Sequence, residues 1–228
     1  MNTLYIVGTP IGNLEDITLR ALRILKEVDI ILCEDTRVTQ KLLKHYGILD
    51  KKLLTYNEQK SGASTEKIIK LLEEGKNLAL VTDAGTPGVS DPGSFLVSKV
   101  RGKFGNKVKI ESIPGPSALT TALSISGVSS GEFLFLGFLP HKKGRETLFK
   151  EIAQTDRVVV FYESPHRLIK TIISLNKHVP ERHISVAKEL TKIYEEVISG
   201  KPKEIMGFFE KNKDKLRGEF VVIVEGRG

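Results

Sequence analysis

The stretch Leu4-Tyr5-Ile6-Val7-Gly8-Thr9-Pro10-Ile11-Gly12-Asn13 decides the fold. Leu4–Val7 is a short apolar run with two β-branched residues, the pattern of a strand buried on both faces. The Gly/Pro-rich run from Gly8 to Asn13 ends it, because glycine frees the backbone and proline stops strand pairing. Beyond the loop, Ile17, Ala21, Ile24, Leu25 and Val28 recur at helical spacing and form one continuous face. Strand, loop and amphipathic helix in that order open a βαβ unit.

The same alternation continues outward. Asp29–Cys33 reads as a second strand, Lys41–Tyr46 as a short helix stopped by Gly47, and Leu53–Tyr56 as a further strand. A helix from Ser64 through Leu72 stops at Gly75, and Leu78–Val81 and Val108–Ile113 are buried-type strands. This predicts a mostly parallel sheet covered on both faces. The second half has a different texture. Strands fit Phe133–Phe138, Arg157–Tyr162, Ile184–Leu190, Tyr194–Ser199 and Glu219–Glu225, and helices fit about Gly144–Ala153, His166–Leu175 and Pro202–Asn212. Two strands lie almost adjacent between Ile184 and Ser199, so an antiparallel pair and a mixed sheet follow. The fold class is therefore α/β, with two α/β domains over residues 1–115 and 116–228. Pro114-Gly115-Pro116 marks the joint.

Composition narrows the function classes. With 228 residues, 40% hydrophobic and 28% charged, the chain has too much apolar content for a disordered one. The longest near-continuous apolar stretch, Phe133–Leu139, is far too short to cross a bilayer, and no export signal precedes the first strand. The expectation is a cytoplasmic protein without a membrane segment. The single cysteine, Cys33, excludes a disulfide framework and reads as a small core residue, and no Cys/His cluster has zinc-ligand spacing. The net charge of +7 is spread as +3 up to Gly115 and +4 beyond it. Such a field favours a polyanionic partner, although solubility alone is an equally open reading at this point.

Ligands of open parallel sheets bind at the carboxyl ends of the strands. Four loops there are unusual: Val7–Asn13, Cys33–Arg37, Thr82–Gly93 and Ile113–Ala118. Three of them combine glycines that permit close backbone approach with prolines that stiffen the turn, which suits a ligand held by backbone, although ordinary turns use the same residues. No Gly-x-Gly-x-x-Gly follows a strand and no P-loop is present, which disfavours a standard dinucleotide or triphosphate site.

These loops carry a resemblance. LYIVGTPIGNLEDITLRALRIL, CEDTR, LVTDAGTPGVSDPG and IPGPSAL, followed by FLFLGFLP, FYESPHRL, AKELTKIYEEV and GEFVVIVEG, occur in order along nearly the whole chain. Together they resemble the tetrapyrrole-methylase family of S-adenosylmethionine-dependent methyltransferases, and within it the branch that 2′-O-methylates a cytidine ribose in 16S ribosomal RNA. The resemblance implies a cofactor cleft between two α/β domains and a homodimer. It implies cofactor contacts at Ile11, where relatives carry a proline, and at Asp83, Ala84, Gly85 and Thr86, where relatives often carry Gly-Gly-Asp-Pro. Further implied contacts are Val89, Ser117, Ala118, Glu163 and Leu190.

Methyl transfer to a ribose hydroxyl needs an oxygen held in line with the sulfonium carbon and a route for its proton. Asp35 or Glu163 is the expected proton acceptor. Arg37 and Arg167 are expected on phosphate, with His166 and Lys188 beside the RNA substrate. A cap or an ion pair is the competing role for each of these residues. Lys142, Lys143 and Arg145 form a basic loop able to engage the phosphate backbone. No metal is required, because the sulfonium is already an activated electrophile. The partner is 16S rRNA or the small ribosomal subunit. Two other readings stay open: a methylase acting on a tetrapyrrole carbon, and a catalytically silent RNA-binding protein on the same fold.

Overall fold

In a computed structural model that describes residues 2–57 and 61–227, the chain divides into two compact units, Met1–Ser117 and Ala118–Gly228. The first unit is built on a five-stranded sheet of order β3-β2-β4-β1-β5, parallel throughout. Its strands are β1 (Thr3–Val7), β2 (Ile30–Cys33), β3 (Lys52–Thr55), β4 (Leu78–Leu80) and β5 (Lys109–Ile113). Side chains of successive residues point to opposite faces, so the four buried residues of β2 feed two cores. Ile31 and Cys33 join Ala21, Ile24, Leu25, Leu42 and Leu43 on one side, while Ile30 and Leu32 join Ile68, Leu72, Leu96 and Val100 on the other. Cys33 is fully buried, as its strand position predicts, and burial pushes its thiol pKa up.

Helices cover both faces of this sheet: α1 (Leu19–Glu27), α2 (Thr36–His45), α3 (Ser61–Glu73) and α4 (Ser94–Phe104). Thr18 caps α1 by accepting from the Ala21 amide at 3.0 Å. The second helix starts at Thr36, five residues before the expected Lys41. Its buried stripe begins only at Thr39, but Asp35 caps the extra turn by accepting from the Arg37 amide at 2.8 Å. The sequence reading missed α4 because only Leu96 and Val100 are buried along it, too few to produce a stripe.

The second unit opens with another helix the periodicity did not reveal, α5 (Ala118–Ile125), which buries only Leu119 and Ala122. Its sheet has the order β6-β7-β10-β8-β9. The strands are β6 (Phe133–Phe138), β7 (Val158–Glu163), β8 (Ile184–Lys188), β9 (Glu196–Gly200) and β10 (Phe220–Val224). Strands β6 and β7 run parallel and the other pairs antiparallel, so the sheet is mixed as expected. The helices α6 (Arg145–Gln154), α7 (Pro165–His178) and α8 (Pro202–Lys211) bury Phe149, Leu168, Ile172, Ile205 and Phe209 against one face of this sheet. That face carries Val159, Phe161, Val186, Phe220 and Val222.

Candidate functional site

Because the first sheet is parallel, the segments after β1, β2, β4 and β5 emerge on a single edge. The backbone joins them directly. Thr9 and Gly85 exchange amide hydrogen bonds at 2.9 and 3.1 Å, and the Thr9 hydroxyl donates to the Thr82 carbonyl at 3.1 Å. The Gly8 amide donates to the Ile113 carbonyl at 3.0 Å. A Cβ on Gly8 would sit 2.8 Å from Gly115 Cα and 2.9 Å from its nitrogen. Only glycine permits that approach, since backbone cannot move aside as a flexible side chain can.

Most residues expected on the cofactor cluster at this edge. Ile11 is buried, and a Cβ on Gly85 would lie 3.5 Å from its Cγ2. Gly85 adopts φ +83°, the left-handed region that glycine supplies at no steric cost. Asp83 and Ala84 are exposed, and the Thr86 hydroxyl donates to the Pro116 carbonyl at 3.2 Å. Val89 is exposed, while Ser117 and Ala118 are half-buried. Leu190 belongs to the second unit, where it is buried.

The edge is acidic. Burial, with the negative charge of Asp83 and Asp35, pushes the pKa of Glu34 up. Burial, with Glu34 and Asp83 nearby, pushes Asp91 up to about 6. Sequence reasoning missed Asp91 and the Gly8–Gly115 contact. Their signals were Asp91 between Ser90 and Pro92 in a ligand-facing loop, and a glycine in each of two loops leaving neighbouring strands.

Asp35 does not have the properties of a proton acceptor. Its carboxylate accepts from Arg37 Nε at 3.0 Å and from Arg37 Nη2 at 2.6 Å, and its amide donates to Asp83 Oδ1 at 3.1 Å. The Arg37 guanidinium beside it pulls the carboxyl down to about 2, which leaves a weak base. Arg37 itself stays exposed.

In the second unit Glu163 is also committed to structure. It is 2% exposed at the end of β7, where Oε1 accepts from the Ser164 amide at 2.9 Å and Oε2 from the Thr171 hydroxyl at 2.6 Å. Arg167 Nε lies 3.2 Å from Oε1, and Arg145 Nη2 lies 3.7 Å from Oε2. The two arginines then reach back to the loop after β6. Arg167 donates to the Leu139 carbonyl at 2.6 Å and Arg145 to the Pro140 carbonyl at 3.2 Å. Arg145 also donates to the Thr171 hydroxyl at 2.6 Å and stacks its cation 5.1 Å from the Phe149 ring centroid.

Three expectations are corrected by these contacts. Arg145 and Arg167 face inward, with side chains 17% exposed, so they brace the loop instead of presenting cations to phosphate. Glu163, saturated by these donors, is a buried counter-ion. Lys188 is 6% exposed and pairs through Phe220 with Glu163 on the helix-covered face, so burial removes it from a surface contact. Lys142 and Lys143 are exposed, and so is His166 in the first turn of α7, where Ser164 holds the cap position.

Comparison with known proteins adds the lineage. The family of Tetrapyrrole (Corrin/Porphyrin) Methylases matches residues 3–206. A Thermotoga maritima protein named ribosomal RNA small subunit methyltransferase I is 46% identical over 227 residues, covering 100% of both chains. The Bacillus subtilis protein of that name is 44% identical over 227 residues, covering 99% of this chain and 76% of its own. Among solved structures, uroporphyrin-III-C-methyltransferase from Thermus thermophilus superposes with a TM-score of 0.65 at 22% identity, covering 99% of this chain and 94% of that one, a likeness of fold. The chain belongs to the tetrapyrrole methylase family.

Proposed function

We propose that this protein transfers a methyl group from S-adenosylmethionine to the ribose 2′-oxygen of a cytidine in the decoding region of 16S rRNA. The observation that carries the reading is end-to-end similarity, at 46% identity, to a protein named for small-subunit rRNA methylation. It is joined to a carboxyl edge knitted for backbone recognition. The donor supplies an activated methyl on a cationic sulfonium, so the chain needs to bind and orient it, exclude water and accept the hydroxyl proton.

The residues present suit that donor. The Gly8–Gly115 approach leaves backbone where a Cβ would intrude, and Glu34, Asp83 and Asp91 give the edge the negative charge that a cation favours. Ile11, Asp83–Thr86, Val89, Ser117 and Ala118 would hold the donor. Glu34 and Asp91, with raised pKa values, replace Asp35 and Glu163 as acceptors for the hydroxyl proton. Arg37, Lys142, Lys143 and His166 would meet the RNA.

The +7 charge supports RNA over a tetrapyrrole, as do the CEDTR and FYESPHR segments. In this reading the protein is cytoplasmic, where ribosomal subunits are, and among the described residues no helix is long and apolar enough to cross a membrane. It works as a homodimer, a reading supported by exposed Phe133, Leu134 and Phe138 on the edge strand β6. The test is transfer of labelled methyl from S-adenosylmethionine to unmodified small subunits, with a porphyrinogen in parallel. Label in RNA alone supports the reading, and label in the porphyrinogen alone overturns it. Binding of both donor and subunit without transfer would identify a silent RNA-binding protein.

A further inference from the structure

Helix α2 leaves the acidic edge and carries Arg37, Lys41 and Lys44 at positions i, i+4 and i+7, one stripe along its exposed side. Thr39, Leu42 and Leu43 take the buried side. The stripe lines an open groove of about 960 Å³ between α2 and the edge strand β3. Val38 and Leu49, 39% and 65% exposed, contribute apolar surface to it. Among the described residues Lys41 and Lys44 have no acidic partner. Lys51, also in the groove, is spent on the carbonyls of Lys26 and Val28. Asp35 is neutralised by Arg37, which leaves Asp50 as the one unpaired acid of the lining.

We infer that this groove is a track for the RNA strand flanking the target nucleotide, with Lys41 and Lys44 on successive phosphates. The inference rests on the proposed rRNA activity. Lys41 and Lys44 lie three residues apart on one face of α2, with about 5–6 Å between their Cβ atoms, so two long flexible side chains can reach neighbouring phosphates of one strand. The row starts at Arg37, whose partner Asp35 bonds to Asp83 at the carboxyl edge, so a strand presented there continues onto α2. A linear row of cations beside exposed apolar side chains fits a phosphate backbone with its sugars.

The test compares the double variant Lys41→Ala/Lys44→Ala with Lys67→Ala/Lys70→Ala on α3, which removes equal charge outside the groove. Binding of small subunits is measured from low to moderate salt, together with donor affinity and turnover at saturating subunit. The α2 variant is expected to lose about tenfold in affinity at low salt and to flatten the salt dependence by nearly two charges. Donor affinity and saturated turnover should hold, the control should match wild type, and Lys41→Arg/Lys44→Arg should restore binding. An α2 variant with wild-type affinity and slope, in a protein that still methylates the subunit, overturns the groove alone. A wild-type protein that neither binds nor methylates the subunit overturns both readings.

Discussion

Arg167 Nε lies 3.2 Å from Glu163 Oε1, across the junction between the end of β7 and the first turn of α7. The same guanidinium donates to the Leu139 carbonyl, so one buried charge pair ties the sheet, the helix and the loop carrying Lys142 and Lys143. Two arginines converge on this carboxylate, and its loss would leave both without their counter-ion. Removing one partner of such a buried pair costs about 3–5 kcal/mol. Glu163→Ala should therefore lower the melting temperature strongly, while Glu163→Gln, which keeps the acceptor for Thr171, should lower it less. In either variant that stays folded, the pH profile of methyl transfer should keep its wild-type midpoint. A midpoint shift in Glu163→Gln would restore Glu163 as the proton acceptor.

The basic loop divides into two kinds of residue. Lys142→Ala/Lys143→Ala should leave stability within about 0.5 kcal/mol of wild type, as expected for exposed side chains, and should weaken RNA binding with a shallower salt dependence. Arg145→Ala should instead destabilise the protein, because it removes one of the two cations beside buried Glu163 and uncovers Phe149. Thermal unfolding alongside binding separates the two. Equal behaviour of the two variants would contradict the inward placement of Arg145.

Glycines give a further contrast. Gly8→Ala places a methyl 2.8 Å from Gly115 Cα and should cost about 1–3 kcal/mol together with donor affinity. Gly102 lies inside α4 with open space around its Cβ position. Gly102→Ala should stabilise the protein by up to about 1 kcal/mol through helix propensity. Denaturant midpoints for the two variants are the check.

Asp91 sets a pH dependence. Its folded pKa of about 6 lies above the ordinary 3.8. The folded state thus binds more protons than the unfolded state between about pH 4 and pH 6, and stability falls as pH rises through that window. Asp91→Asn should raise stability at pH 8 by about 1 kcal/mol, a figure reduced for solvent screening, and should change little at pH 4. Melting curves at the two pH values measure it. Donor affinity should fall in the same variant, as the edge loses negative charge.

The sequence made the strands and the family legible because each is a local pattern: apolar runs, Gly/Pro loops and motifs in order. Two helices escaped for a physical reason. Helices α4 and α5 each bury only two residues, so neither shows a stripe. Candidate site residues were legible as a group at the carboxyl edge, but individual roles were not. Asp35 and Arg37 are two residues apart at the start of α2, and nothing in that spacing reveals that one caps the helix while gripping the other. Glu163, Arg145 and Thr171 are separated by up to 26 residues and meet only through packing. Long-range partners decide whether a charge is a reagent or a brace.

The decisive property of this protein is the chemistry of its methyl transfer and the target it takes. Nucleoside mass spectrometry of 16S rRNA, after reaction of the protein and S-adenosylmethionine with unmodified small subunits, tests it most directly. The expected new nucleoside is 2′-O-methylcytidine from the decoding region. Methyl found on a base, on another ribose, or nowhere in the RNA would contradict it.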